Sequence, residues 1–212
     1  MKEKTLPKGI YGITAEKFSL GRSNLDVAEA MIKGGVKIIQ YREKRHLKDY
    51  CEIVAECRQM RELTKKLGAT FIVNDFVDIA LLVDADGVHV GQEDMSVADV
   101  RKLLGPEKII GLSTHSPQQA QAAVQAGADY IGVGPIFTTQ TKEDVCEAVG
   151  LEYLEYVAST IPLPYVAIGG IKAHNISEIV NRGAQTVCLV TEIVGAQDVT
   201  ETTRSITNQI LG

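Results

Sequence analysis

The 212-residue chain lacks the cysteine spacings that hold a metal or a redox disulfide. Its four cysteines, Cys51, Cys57, Cys146 and Cys188, form no C-x-x-C pair and no zinc spacing, so reduced thiols in a cytoplasmic protein are expected. Long apolar runs are missing too. No stretch approaches a membrane span. The start, Met1-Lys2-Glu3-Lys4-Thr5-Leu6-Pro7, carries charge with no apolar stretch behind it, so no secretory signal is expected. An excess of basic residues is also absent. The net charge is −5, with no run of five like charges, which argues against a nucleic-acid surface. No composition shift and no Pro/Ser-rich linker divides the chain, so residues 1–212 are expected to form a single domain.

What is present is a repeating alternation. With 45% hydrophobic residues the chain can bury a sizeable core. Eight short apolar runs read as strands: Ile10–Thr14, Val36–Tyr41, Thr70–Val73, Gly87–Val90, Ile109–Leu112, Tyr130–Val133, Tyr165–Ile168 and Thr186–Val190. Near-continuous apolar runs are typical of strands buried on both faces. Helical spacing lies between them, as in Leu25, Ala28, Met31 and Ile32, or Val97, Val100, Leu103 and Leu104. Strict alternation of strand and helix implies parallel pairing through right-handed crossovers. A weak repeat comes just before four of these strands: Gly34-Gly35-Val36, Asp86-Gly87-Val88, Ala126-Gly127-Ala128-Asp129 and Arg182-Gly183-Ala184. Glycine there ends a helix in a left-handed cap. Eight such units fit an α/β fold of the closed (β/α)₈ TIM-barrel type. A doubly wound open sheet is the competitor, but no GxGxxG follows the first strand.

A barrel of this kind carries its active site at the carboxyl ends of its strands. Those ends hold Gln40 to Lys44, Asn74-Asp75, Gly91 to Asp94, Ser113-Thr114-His115, Gly134 to Lys142, Gly169-Gly170 and Val190-Thr191. The opposite ends carry glycine, alanine and ordinary solvated charges. Gln40 and Arg42 are two apart and share a face, where an anionic ligand would satisfy both. Asp75 and Asp94 read either as helix N-caps or as hard oxygen ligands for Mg²⁺ beside a substrate phosphate. Gly169-Gly170 reads as a tight turn or as a backbone phosphate cup completed by Thr191. Thr138 to Asp144 reads as an active-site flap with Lys142 reaching a phosphate, or as a surface loop. His89 reads as a satisfied barrel-core histidine, and its spacing from His115 matches no zinc motif.

In order along the chain these stretches resemble the thiamine-phosphate synthase (thiamine-phosphate pyrophosphorylase) family. The resemblance rests on Gln40-Tyr41-Arg42-Glu43-Lys44, Val73-Asn74-Asp75-Phe76-Val77-Asp78-Ile79-Ala80, Gly87-Val88-His89-Val90-Gly91-Gln92-Glu93-Asp94, Ile110-Gly111-Leu112-Ser113-Thr114-His115, Tyr130-Ile131-Gly132-Val133-Gly134-Pro135-Ile136-Phe137, Thr141-Lys142-Glu143-Asp144 and Ala167-Ile168-Gly169-Gly170-Ile171. It implies a Mg²⁺-dependent transferase. Hydroxymethylpyrimidine diphosphate loses pyrophosphate first, and the pyrimidine methylene cation is then trapped by the nitrogen of a thiazole phosphate. On that resemblance Asp75 and Asp94 hold the metal, and Arg42, Lys44 and Lys142 carry the diphosphate beside Asn74. Gln40 and Ser113 address the pyrimidine. Thr139, Thr141, Gly170, Val190 and Thr191 hold the thiazole phosphate. Tyr41, Glu43 and Gln140 join the substrate-binding set, and Arg42, Lys44, Lys142 and Ser113 the catalytic one.

Two positions depart from the family pattern. Strand 1 is followed by Ala15, where an acidic residue often stands, and Glu192 follows Thr191, beside the phosphate cup. A carboxylate there has to turn outward or pair, and Lys172 is the expected partner. The related thiazole tautomerase shares the barrel but has no use for two metal carboxylates. A Schiff-base aldolase would need a lysine desolvated within a strand. A non-catalytic phosphate-binding barrel would show no Mg²⁺ requirement. The expected partners are small-molecule substrates, without nucleic acid or membrane, and monomer and homodimer both stay open.

Overall fold

The computed structural model describes residues 6–139, 141 and 147–212. Eight strands form a closed parallel barrel in sequence order. They are β1 (Gly9–Ile13), β2 (Ile38–Tyr41), β3 (Thr70–Asn74), β4 (Gly87–Val90), β5 (Ile109–Thr114), β6 (Tyr130–Val133), β7 (Tyr165–Ile168) and β8 (Thr186–Cys188). The helices between them are α1 (Asn24–Lys33), α2 (Tyr50–Leu67), α3 (Val77–Leu82), α4 (Val97–Leu104), α5 (Pro117–Ala126), α6 (Gly150–Thr160) and α7 (Ile176–Val180). After β8 come a short α8 (Val190–Val194) and a long α9 (Val199–Leu211).

Local signals set the helix boundaries. Ser23, Ser96, Ser116 and Asp198 each accept a backbone N–H at the start of α1, α4, α5 and α9. Asp49 and Glu52 form a capping box on α2, and Gly68 at φ +72° ends that helix. Each such cap contributes about 1 kcal/mol. The glycine repeat is only partly a cap repeat. After α3 the left-handed position is taken by Asp84 at φ +52°. Gly87 instead lies within β4, where a Cβ would fall 2.2 Å from the carbonyl oxygen of Ile109. Its role is close strand approach.

Alternation along each strand divides the core in two. Tyr11, Ile13, Ile38, Ile72, Tyr130, Val166 and Cys188 pack together inside the barrel. Their neighbours, among them Ile39, Tyr41, Phe71, Val73, Val88 and Ile131, face outward into the helices. Fully burying one such side chain stabilises by about 1.5–3 kcal/mol. Several boundaries differ from the sequence reading. β1 spans Gly9–Ile13, β2 starts at Ile38, β3 runs on to Asn74 and β5 to Thr114, and β8 stops at Cys188 because Leu189 is already the N-cap of α8. Thr191 therefore sits in a first helical turn. On α4, Val97, Val100 and Leu104 are buried, while Leu103 faces solvent.

Closure joins the first and last units. Gly9 and Ile10 pair with Thr186 and Val187. Arg22 donates to the carbonyls of Val194 at 2.9 Å and Ala196 at 2.7 Å, tying the start of α1 to the turn after α8. None of the described helices is long and apolar enough to cross a membrane.

Candidate active site

The carboxyl ends of β2, β3 and β4 gather one charged group. Thr14 is buried just past β1, and its hydroxyl accepts the Arg42 N–H at 3.1 Å, fixing where Arg42 leaves β2. Lys44 reaches across to Asp75 at the end of β3, with Nζ 2.8 Å from Oδ2. Asn74 is buried immediately before it.

Neither metal candidate caps a helix. Phe76 occupies the N-cap of α3 without a side-chain bond, and Ser96 caps α4. Asp75 takes a left-handed backbone, φ +62°, with its N–H donating to the His89 carbonyl of β4 at 2.9 Å. A non-glycine residue with φ > 0 is uncommon, and such residues cluster at functional sites. Asp94 folds back so that Oδ2 accepts the Gly91 N–H at 2.7 Å. Both carboxylates thus belong to adjacent strand ends.

The donor set fits Mg²⁺. Hard carboxylate oxygens are its ligands, and it is commonly held by one or two of them plus substrate phosphates. Among the described residues no three His, Cys, Asp or Glu side chains gather into an all-protein cage. A pair of carboxylates beside Lys44 suits a metal completed by a diphosphate.

The β2 motif splits by face. Gln40 points into the barrel and is buried, as is Asn74 on β3. Tyr41 and Glu43 point the other way, as period-two alternation requires. The Tyr41 hydroxyl donates to Glu56 at 2.6 Å, and Glu43 accepts from Asn24 at 3.0 Å and from the Glu16 N–H at 3.0 Å. Lys48 completes this outer cluster by pairing with Glu16 and Glu56. Burial alone would raise the Glu56 carboxyl. Hydrogen bonds from Lys48, Tyr41 and Asn24 outweigh that and hold it below its usual value. The side chains of Tyr41 and Glu43 are thereby committed to the scaffold that carries Arg42 and Lys44.

Across the barrel, the ends of β7 and β8 make a second pole. Gly169 and Gly170 have φ of +99° and +65°, and a Cβ on Gly170 would lie 2.7 Å from the Phe137 Cβ and the Thr138 carbonyl oxygen. Only glycine fits there. Asn175 donates to the Gly170 carbonyl at 3.1 Å. Lys172 donates to the Thr191 hydroxyl at 2.9 Å and pairs with Glu192 at 3.1 Å, the pairing expected from the sequence. Thr139 and Thr141 meet hydroxyl to hydroxyl at 3.0 Å. Val190 is half-buried at the start of α8. Gln140 and Lys142 lie outside the described residues.

Ser113, at the end of β5, bonds through Oγ to Nε2 of His89 at 2.9 Å. His89 is the satisfied core histidine expected, its Nδ1 meeting the Tyr130 hydroxyl at 2.9 Å. Sequence reading assigned no polar role to Tyr11, Tyr130, Thr14 or Asn175 at the site. A signal existed for the tyrosines. Each is a hydroxyl within an apolar run, and Gly111 on the neighbouring β5 leaves room for the Tyr130 ring.

Comparisons with known proteins identify a family. The family described as thiamine monophosphate synthase matches residues 10–193. A thiamine-phosphate synthase of Pelotomaculum thermopropionicum is 59% identical over 201 residues, covering 95% of this chain and 91% of the relative. One from Lawsonia intracellularis is 52% identical over 195 residues, covering 92% and 89%. Among solved structures, a thiamine phosphate pyrophosphorylase from Pyrococcus furiosus superposes with a TM-score of 0.86 at 33% identity, covering 99% of this chain and 98% of that one.

Proposed function

This chain belongs to the thiamine monophosphate synthase family, and we propose that the two poles of its barrel rim divide the two phosphorylated substrates between them. The activity is that of a transferase. It joins hydroxymethylpyrimidine diphosphate to a thiazole phosphate, giving thiamine phosphate and pyrophosphate. One C–O bond breaks at the pyrimidine methylene, and one C–N bond forms to the thiazole nitrogen.

In the proposed division, Asp75 and Asp94 hold Mg²⁺, which supplies positive charge to the pyrophosphate oxygens. Arg42, Lys44 and Lys142 stabilise the same developing charge, with Asn74 beside them. Gln40 and Ser113 seat the pyrimidine. Thr139, Gln140, Thr141, Gly170, Val190 and Thr191 receive the thiazole phosphate. Pyrophosphate departs first, and the methylene cation is trapped where the thiazole is held, so no general base is needed. Residues 1–212 act as one cytoplasmic domain.

The observation that carries this reading is the left-handed Asp75 in contact with Lys44, one strand away from Asp94. It is supported by hard oxygen donors and cations meeting at adjacent strand ends. The test is product formation from both substrates, with and without Mg²⁺. Thiamine phosphate and pyrophosphate should appear together and only with Mg²⁺. Undiminished turnover in excess chelator would overturn the metal assignment.

A further inference from the structure

Three side chains inside the barrel take no part in the division above, yet they are bonded end to end. Gln40 donates from Nε2 to the Tyr11 hydroxyl at 3.0 Å. The Tyr11 and Tyr130 hydroxyls lie 2.7 Å apart. Tyr130 meets Nδ1 of His89 at 2.9 Å, and Nε2 of His89 meets Ser113 Oγ at 2.9 Å. The chain thus runs from Gln40 to Ser113 through the barrel axis. Tyr11, Tyr130, Gln40 and His89 are all buried.

The first bond suits one sense along the rest. The Gln40 amide N–H donates, so the Tyr11 oxygen accepts, and in the sense proposed here its own proton goes to Tyr130, in a bond where either hydroxyl can donate. The Tyr130 proton then goes to Nδ1 of His89. A neutral imidazole accepting at Nδ1 carries its proton on Nε2, which donates to Ser113. The Ser113 proton is left for a ligand. Two ends with opposite character result: Gln40 offers its carbonyl oxygen as acceptor, and Ser113 offers a donor. Among the described residues neither atom has another partner.

The geometry is built for this chain. A Cβ on Gly111 would lie 2.1 Å from Cζ of Tyr130 and 2.5 Å from Nδ1 of His89. The rings of His89 and Tyr130 are 5.4 Å apart, and those of Tyr11 and Tyr130 are 5.9 Å apart. Burial pushes both tyrosine hydroxyls above their ordinary range, so both protons stay in place.

We propose that Tyr11, Tyr130 and His89 form a one-way hydrogen-bond relay that fixes the donor–acceptor sense of the pyrimidine seat and so selects an aminopyrimidine over its oxo analogue. An aminopyrimidine presents an amino donor beside a ring-nitrogen acceptor, matching Gln40 and Ser113. The oxo analogue presents a carbonyl acceptor beside an N–H donor, and both contacts become mismatched. The three are positioning residues. The inference rests on Gln40 and Ser113 as the pyrimidine seat.

The test has two arms. In the ligand-free protein, nitrogen NMR of the histidine side chains, assigned with His89→Gln, should find His89 neutral with its proton on Nε2. An Nδ1-protonated or doubly protonated ring overturns the relay. In the second arm, kcat/KM is compared for amino- and oxopyrimidine diphosphates. Tyr130→Phe keeps the ring and removes the link. It should reduce discrimination about tenfold, the size of one hydrogen bond, with KM for thiazole phosphate unchanged. His89→Gln, which keeps an N–H donor toward Ser113, should retain more discrimination than His89→Phe. Unchanged discrimination in Tyr130→Phe, or an equal rise in both KM values, overturns the proposal. A correct tautomer with no turnover in the wild type would sink the functional reading and leave the relay standing.

Discussion

The two ends of the barrel both carry aspartates, and they use them differently. At the amino end, Asp86 accepts from the Phe71 N–H at 2.8 Å and from Arg61 at 2.8 Å, both through Oδ2. Asp129 accepts from the Ile110 N–H at 2.8 Å and from Arg101 at 2.5 Å. Each carboxylate stitches the strand before it and neutralises an arginine. At the carboxyl end, Asp75 has Lys44 and Asp94 has the Gly91 N–H. Each amino-end aspartate accepts from two protein donors, a strand N–H and an arginine, and stabilises the fold. On the proposed reading those at the carboxyl end serve a ligand, and Asp75 does so on a left-handed backbone that glycine would adopt more easily. Residue type is the same at both ends, and local partners decide the role.

That contrast can be broken first at the amino end. Asp86→Ala should cost about 1–3 kcal/mol, because a strand N–H and a partly buried arginine lose their acceptor. Thermal unfolding should shift by about 2–4 °C per kcal/mol for a chain of this size. The kinetic constants of the folded variant should stay within a factor of about two. A large loss of kcat without loss of stability would erase the distinction.

A smaller effect sharpens it at the β7–β8 pole. Glu192 pairs with Lys172 in a half-exposed setting, where such pairs contribute about 0–1 kcal/mol. Glu192→Ala frees Lys172 to attract phosphate. Thiazole-phosphate affinity should rise by at most a few-fold, and the gain should shrink with added salt. Titration at two salt concentrations checks it. A marked fall in affinity would make Glu192 an organiser of the cup.

Much of this was legible in the sequence, and the exceptions have physical causes. Apolar runs such as Thr70–Val73 and Tyr130–Val133 mark β3 and β6 because strands buried on both faces have few alternatives. The end of β8 was hidden, since Leu189 and Val190 suit a strand as well as a helix start. Asp84 does the work expected of a glycine, because aspartate tolerates the left-handed region. Gln40 and Arg42 were legible as inward-facing by alternation. The same rule turns Tyr41 and Glu43 outward, although a contiguous motif invites reading them together. The relay was not legible. Tyr11, His89 and Tyr130 are brought into contact only by closure of the barrel, and no local pattern encodes a contact between residues 11 and 130.

The central claim is that the carboxylates at the ends of β3 and β4 act on the departing diphosphate. Single-turnover pyrophosphate release by Asp75→Ala, at saturating Mg²⁺ and both substrates, tests it most directly. Thermal unfolding of the same sample verifies the fold. The account predicts a fall of roughly 10²–10³ in the chemical rate, the scale of losing one charge-stabilising group, with stability lowered by no more than about 1–2 kcal/mol, the cost of alanine at a left-handed position. A wild-type rate from the folded variant would contradict it.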